Sequence, residues 1–152
     1  MLRFDGQKDF PRHPPAVLWD KLSDARFLVQ CVPDVHEVSK QERPEAEFTL
    51  RPGFAFIRGT LHVSLKVVEA VSPSTVRLVL QSKGIGSSSE VEATMTLSAL
   101  DGGARVAWTA EVKQLGGLLK AVPHGLIRGA AQKVVTDAWN AVEARLNQES
   151  PS

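Results

Sequence analysis

The residues of this chain whose types most readily do chemistry are few. They are four histidines (His13, His36, His62 and His124), the single cysteine Cys31, and two carboxylates two positions apart, Glu90 and Glu92. A protein zinc site needs ligands at short fixed spacings, such as two histidines four apart on a helix or a C-x-x-C pair. No histidine here has such a neighbour and one cysteine supplies no thiolate pair, so no metal site is expected. Cys31 has no adjacent cation to favour a thiolate and reads as a buried, inert thiol. Glu90 and Glu92 share one face of a strand, because strand side chains alternate with period two. That face is the wet one, without the apolar pocket that raises a carboxyl pKa for acid catalysis. Gly84-x-Gly86 followed by Ser87–Ser89 has the glycine content of a phosphate cradle, but no lysine and helix follow it, and a hairpin turn explains it better. No G-x-S-x-G elbow is present. His124 and Arg128, close to Pro123, are the remaining candidates for a catalytic His or Arg if an ionisable side chain faced inward.

The elements that must position these residues are legible from period and punctuation. Leu2 to Phe10 reads as a strand, with Gly6 as a bulge or a point of close approach. Pro14-Pro15 opens a short helix carrying Leu18, Trp19 and Leu22, since proline is tolerated in a first helical turn. Ser23-Asp24 caps a second helix that places Leu28, Cys31 and Val32 on one face and ends at Pro33. From Val35 the period changes to two. Strands are expected at Val35–Lys40, Glu45–Arg51, Thr60–Ala70 and Thr75–Ser82. A turn at Lys83–Ser88 then leads to a strand with Val91, Ala93, Met95 and Leu97 on one side. Asp101-Gly102-Gly103 is a hairpin signal before a last strand that aligns Val106, Trp108, Ala110 and Val112. One apolar face and one wet face describe an antiparallel meander covered on one side. The cover is Gly117 to Leu146, where Leu119, Val122, Leu126, Ala130, Val134, Ala138, Val142 and Leu146 recur at helical steps, with a kink or break at Pro123.

Composition narrows the function class. The chain has 152 residues, 43% hydrophobic and 23% charged, with a formal net charge of +1. That suits one globular domain, expected over residues 1–147 with a frayed polar tail at 148–152. No basic field favours nucleic acid, and the three Trp and six Phe are not interleaved with Arg or Lys as base-stacking platforms are. No run of about 18 apolar residues spans a bilayer. A lone cysteine and an N-terminus without an apolar h-region point to a reducing, cytoplasmic setting. The inward set mixes Val, Ala and Leu with few aromatics, so a sheet curled around a helix would retain a cavity.

The order strand, two short helices, six strands, long helix resembles the helix-grip fold of the START/Bet v1-like (SRPBCC) superfamily. Within it the chain is most similar to the CoxG family, named for the G subunit of carbon monoxide dehydrogenase. Phe4-Asp5-Gly6, Pro15–Trp19, Leu22-Ser23-Asp24 and Cys31-Val32-Pro33 carry the first part of the resemblance. Lys83–Gly86, Asp101–Trp108, Gly116–Leu119 and Leu126-Ile127 carry the second. Pro33 is followed by Asp34 where the family commonly has glycine. Longer members carry a membrane-linked tail, and with the chain ending at Ser152 such anchoring is not expected, though peripheral membrane contact stays open.

The resemblance implies an α+β helix-grip domain that binds a hydrophobic, lipid- or quinone-like small molecule. It needs no metal or cofactor and acts as an accessory protein to a carbon monoxide dehydrogenase-type or other molybdenum hydroxylase. A cyclase- or hydrolase-like enzyme using His124 and Arg128 is the alternative. The expected lining is Phe48, Leu65, Leu80, Met95, Trp108, Leu119, Val122, Leu126 and Val134. The expected rim comprises Pro52–Gly59, with Phe54, Phe56 and Ile57, together with Lys83–Ser88, which includes Ile85, and Gln114–Leu118.

Overall fold

A computed structural model describes residues 2–51 and 59–149. The chain runs β1 (Arg3–Phe10), α1 (Pro15–Leu22), α2 (Ala25–Cys31), β2 (Val35–Gln41), β3 (Glu45–Leu50), β4 (Leu61–Val71), β5 (Thr75–Gly84), β6 (Ser87–Leu100) and β7 (Gly103–Gly117). A 3-10 turn at Leu118–Ala121 and the long helix α3 (His124–Glu149) complete it. The strands form one antiparallel sheet in the order β1-β7-β6-β5-β4-β3-β2, a meander with the first strand added beside the last. This is the α+β helix-grip architecture expected from the sequence. The expected rim residues 52–58 and the last tail residues 150–152 lie outside the described residues. Gln148 and Glu149 continue α3.

Local chemistry sets the helices. Pro15 occupies the first turn of α1, where its missing N–H costs nothing. Asp24 caps α2 by accepting from the Arg26 backbone N–H at 2.9 Å, and its carboxylate also receives the Arg26 and Arg43 guanidinium groups at 2.7 and 3.2 Å. Arg43 reaches on to the Asp20 carboxylate at 3.0 Å, so the α1–α2 corner is tied to the β2–β3 turn. Burial pushes the Asp24 carboxyl pKa up. The hydrogen bonds from Arg26 and the charges of Arg26 and Arg43 outweigh that and hold it below its ordinary value.

Gly6 marks a close approach and not a bulge. It pairs in unbroken register with Trp108, and a Cβ there would sit 2.8 Å from the indole ring. Asp34 adopts φ 64°, the left-handed region that glycine prefers and Asp tolerates better than most residues. The β5–β6 turn is tighter than expected: both strands run on until only Ile85 and Gly86 remain, at φ 56° and 67°. Two successive positive-φ residues are the pattern of the tight hairpin turn.

The C-terminal segment breaks where Pro123 predicts, but the buried face of α3 differs from the expected stripe. Ile127, Val142 and Leu146 are buried, whereas Leu126 is 53% and Val134 is 36% exposed. A uniform step of four overshoots a 3.6-residue turn by about 40°. Counted back from Leu146, that stripe has swung about 120° by Val134 and about 200° by Leu126. The face that stays in phase passes through Trp139, Val135 and Ala131, all half-buried.

Candidate functional site

Register fixes which residues face the helix. Across β4 and β5, Val63 pairs with Ser82, Leu65 with Leu80 and Val67 with Leu78. Across β5 and β6, Val76 pairs with Met95, Leu78 with Ala93, Leu80 with Val91 and Ser82 with Ser89. Across β6 and β7, Leu97 pairs with Val106, Met95 with Trp108, Ala93 with Ala110 and Val91 with Val112. These positions form the concave face. The alternate ones, including His62, Lys66, Arg77, Lys83, Glu90 and Glu92, lie on the outer face.

Two apolar clusters fill this concavity from opposite directions. The larger gathers Phe10, Leu18, Leu22, Phe27, Leu28, Phe48, Leu65, Val76, Leu78, Met95, Leu97 and Val106 against Val142 and Leu146 of α3. The smaller joins Leu2, Phe4 and Val112 to Ile127 at the start of α3. Between them, Leu80, Val91, Ala93, Ala110, Trp108 and Leu115 remain half-buried although they face inward from the inner strands. Trp108 packs against both clusters, with its ring 6.3 Å from that of Trp139. The candidate site is this strip of unfilled apolar wall. It opens toward the Ile85–Gly86 turn and the 3-10 turn, which meet where the Leu118 N–H donates to the Gly86 carbonyl at 3.0 Å. Gly117 makes that junction possible, because a Cβ there would lie on the Gly86 carbonyl oxygen.

The expected lining residues divide accordingly. Leu80, Trp108 and Val122 lie along or beside the strip, half-buried. Phe48, Leu65, Met95 and Leu119 are buried, the first three within the larger cluster. Leu126 and Val134 fall on the exposed face of α3 and leave the inward set. Phe54 and Phe56 lie outside the described residues, while Ile85 is half-buried against the larger cluster. Sequence reasoning misses Val91, Ala93, Ala110, Leu115, Ile127 and the inward pair Ser82–Ser89 as site residues, although for the strand residues the alternation that marks Leu80 and Met95 also places them.

Little points to catalysis. His124 is exposed, and Arg128 is exposed with its guanidinium 5.2 Å above the Phe4 ring, a cation–π contact. Glu92 is paired with Arg77, and Glu90 accepts from Gln81 at 2.8 Å, both on the outer face. Cys31 is buried with its thiol 3.6 Å from the Phe27 carbonyl. His13 is buried edge-on to Phe10 at 6.4 Å, at the far end from the opening, and its Nε2 has no hydrogen-bond partner among the described residues. No three His, Cys, Asp or Glu side chains cluster as metal ligands among the described residues. Two shallow depressions of about 340 and 230 Å³ lie on the outer face, lined largely by Thr94, Thr96 and Thr109 or by Thr49, His62 and Ser64.

Charge is unevenly placed around the opening. No Asp or Glu occurs between Glu69 and Glu90 or between Glu111 and Asp137, whereas Lys83, Lys120 and Arg128 do; Arg77, Lys113 and Lys133, in the same intervals, are paired with Glu92, Glu111 and Asp137. Leu118, 64% exposed, and Leu126 add apolar surface beside these cations. Asp137 is the acid nearest Lys133, bonded to it at 2.6 Å, and the Asp34 charge adds to that attraction. Among the described residues no helix is long and apolar enough to cross a membrane.

A curved seven-stranded antiparallel sheet, wedged by two short helices and gripped by one long one, defines a START/Bet v1-like protein. Residues 6–147 match CoxG, the G subunit of carbon monoxide dehydrogenase, and the chain belongs to that family. Among solved structures, a conserved protein from Geobacillus kaustophilus superposes with a TM-score of 0.84 at 18% identity, covering 97% of this chain and 96% of that one. A START superfamily protein from Mycobacterium smegmatis gives 0.68 at 10% identity, with 97% and 99% covered. Ara h 8.0201 gives 0.64 at 16% identity, also with 97% and 99% covered. No protein with a curated description matches the sequence.

Proposed function

We propose that this protein binds a hydrophobic small molecule, lipid- or quinone-like, between the sheet and α3. The observation that carries this reading is the half-buried strip from Leu80 to Ala110, inward-facing apolar wall that packs against the two clusters yet is only partly covered. Apolar surface facing inward but not covered loses the burial free energy of about 25 cal/mol per Å² that a ligand would restore. Lys83, Lys120 and Arg128, with the exposed Leu118 and Leu126, support uptake from an anionic membrane surface through the open end. Native mass spectrometry of protein purified without delipidation, followed by organic extraction, tests the reading. A bound apolar species is expected; a purely unliganded mass with an empty extract would overturn it.

Family membership supports a finer role, as an accessory to a carbon monoxide dehydrogenase-type or other molybdenum hydroxylase. Affinity purification from the native host should then recover such an enzyme by name in peptide sequencing. Its absence under conditions where that hydroxylase is expressed would count against the role.

A further inference from the structure

We infer that Ser82 and Ser89 are the polar anchor of the concavity, and that they take the neutral oxygenated head group of an otherwise apolar ligand. The inference rests on the binding reading above and specifies the class of molecule bound. Ser82 faces Ser89 across β5 and β6 and faces Val63 across β4 and β5. Ser89 in turn faces Leu115 across β6 and β7. Both serines therefore belong to the inward row that continues through Leu80 and Val91, and both are half-buried.

Their hydroxyl oxygens are 2.5 Å apart, so one donates to the other. Two hydroxyls hold two O–H donors and four lone pairs. The mutual bond uses one donor, and the second has no partner among the described residues. The inward neighbours are aliphatic: Val63, Leu80, Val91 and Leu115. An O–H held against such a wall is costly unless something accepts it. A ligand carbonyl, ether or hydroxyl oxygen would do so.

Charge and position set the rest of the class. The flanking charged side chains, Lys83 and Glu90, alternate to the outer face. Of the inward positions further off, Lys8 is held by Glu143 at 3.4 Å. No charged side chain of β4, β5 or β6 shares the inward face with the pair, which favours a neutral head over a carboxylate, phosphate or amine. The serines lie close to the Ile85–Gly86 turn, so the head sits near the opening and the tail points inward. The open wall from Ser89 to Ala93 measures about 14 Å along the strand, which suits a short prenyl or acyl chain.

Two probes of equal carbon count separate the head-group contribution from the apolar one: farnesyl acetone, a ketone, and its C18 hydrocarbon counterpart, in which a methylene replaces the carbonyl. Isothermal titration of the full chain should show the ketone bound about tenfold more tightly than the hydrocarbon. The double variant Ser82→Ala/Ser89→Ala should lose that preference while its affinity for the hydrocarbon stays within about twofold. Each single variant keeps one hydroxyl whose O–H can turn to the ligand, and should retain most of the preference. A ketone preference that survives the double substitution overturns the inference, as does its loss in either single variant or an equal loss for both probes. Failure of the wild-type protein to bind either probe overturns the binding reading itself, and the anchor with it.

Discussion

The two ends of β5 and β6 are built from the same residue types in the same alternation, yet they are used differently. At the end nearer the β6–β7 hairpin, Val76, Leu78, Met95 and Leu97 are buried beneath α1, α2 and the last turns of α3. At the other end, Leu80, Ser82, Ser89, Val91 and Ala93 face the same way and are only half-buried. Strand chemistry does not distinguish them; what covers them does. The last half of α3 is pinned by Lys8 to Glu143 at 3.4 Å and by Arg145 to Gln30 at 3.0 Å. Its first half rests on a small cluster about Ile127. The packed end holds the fold, and the sparsely covered end is free to serve a ligand.

Three substitutions sharpen or break this contrast. The largest effect belongs to the packed end. Phe10→Ala removes a side chain 2% exposed and stacked 6.1 Å from Trp139. It should cost about 3–5 kcal/mol in urea unfolding; a loss below about 1 kcal/mol would show that this end repacks freely.

Asp24→Ala comes next. Losing the cap and its guanidinium bonds should cost about 1–2 kcal/mol at neutral pH. The folded carboxyl titrates below its ordinary value of 3.8, so its stabilisation is present above that value and drains away as pH falls through the lower folded one. The gap between wild type and variant should therefore narrow as pH falls from 3.8 through the lower folded value. A pH-independent gap would assign the effect to something other than this charge.

The smallest stability change is expected at the open end. Leu80→Ala should cost only about 1 kcal/mol, because part of the side chain is uncovered already. It should nevertheless alter which species co-purifies, as read by mass spectrometry. A loss as large as that of Phe10→Ala would erase the distinction between the two ends.

The strands and the helix order were legible because period two, period 3.6 and proline act locally. Thr60–Ala70 and Arg105–Lys113 needed nothing beyond alternation and a D-G-G turn, whereas the extension of β7 to Gly117 past a register shift did not follow from alternation. The rotation of α3 was not legible. A four-residue count and the true 3.6-residue turn agree over Val142–Leu146 and diverge to opposite faces by Leu126, and only packing against Leu2 and Phe4 fixes Ile127 as the buried member. The site was legible by halves. Leu80 and Trp108 follow from alternation, while the uncovered state of the wall depends on how far apart sheet and helix stand. Ser82 ends an expected strand and Ser89 follows the expected six-residue turn Lys83–Ser88, so their pairing is not given by the sequence. Only the tightness of the Ile85–Gly86 hairpin puts them on strands, facing each other.

Trp108 has an optical consequence. It spans the boundary between the two clusters beside Trp139, while Trp19 is set apart with its indole N–H on the Thr75 carbonyl at 3.0 Å. The chain contains no tyrosine, so its near-ultraviolet emission comes almost wholly from three indoles, two of them bordering the uncovered wall. Indole emission moves to shorter wavelength as water leaves its surroundings. The protein thus carries its own gauge of whether the concavity is wet or occupied, readable without a label.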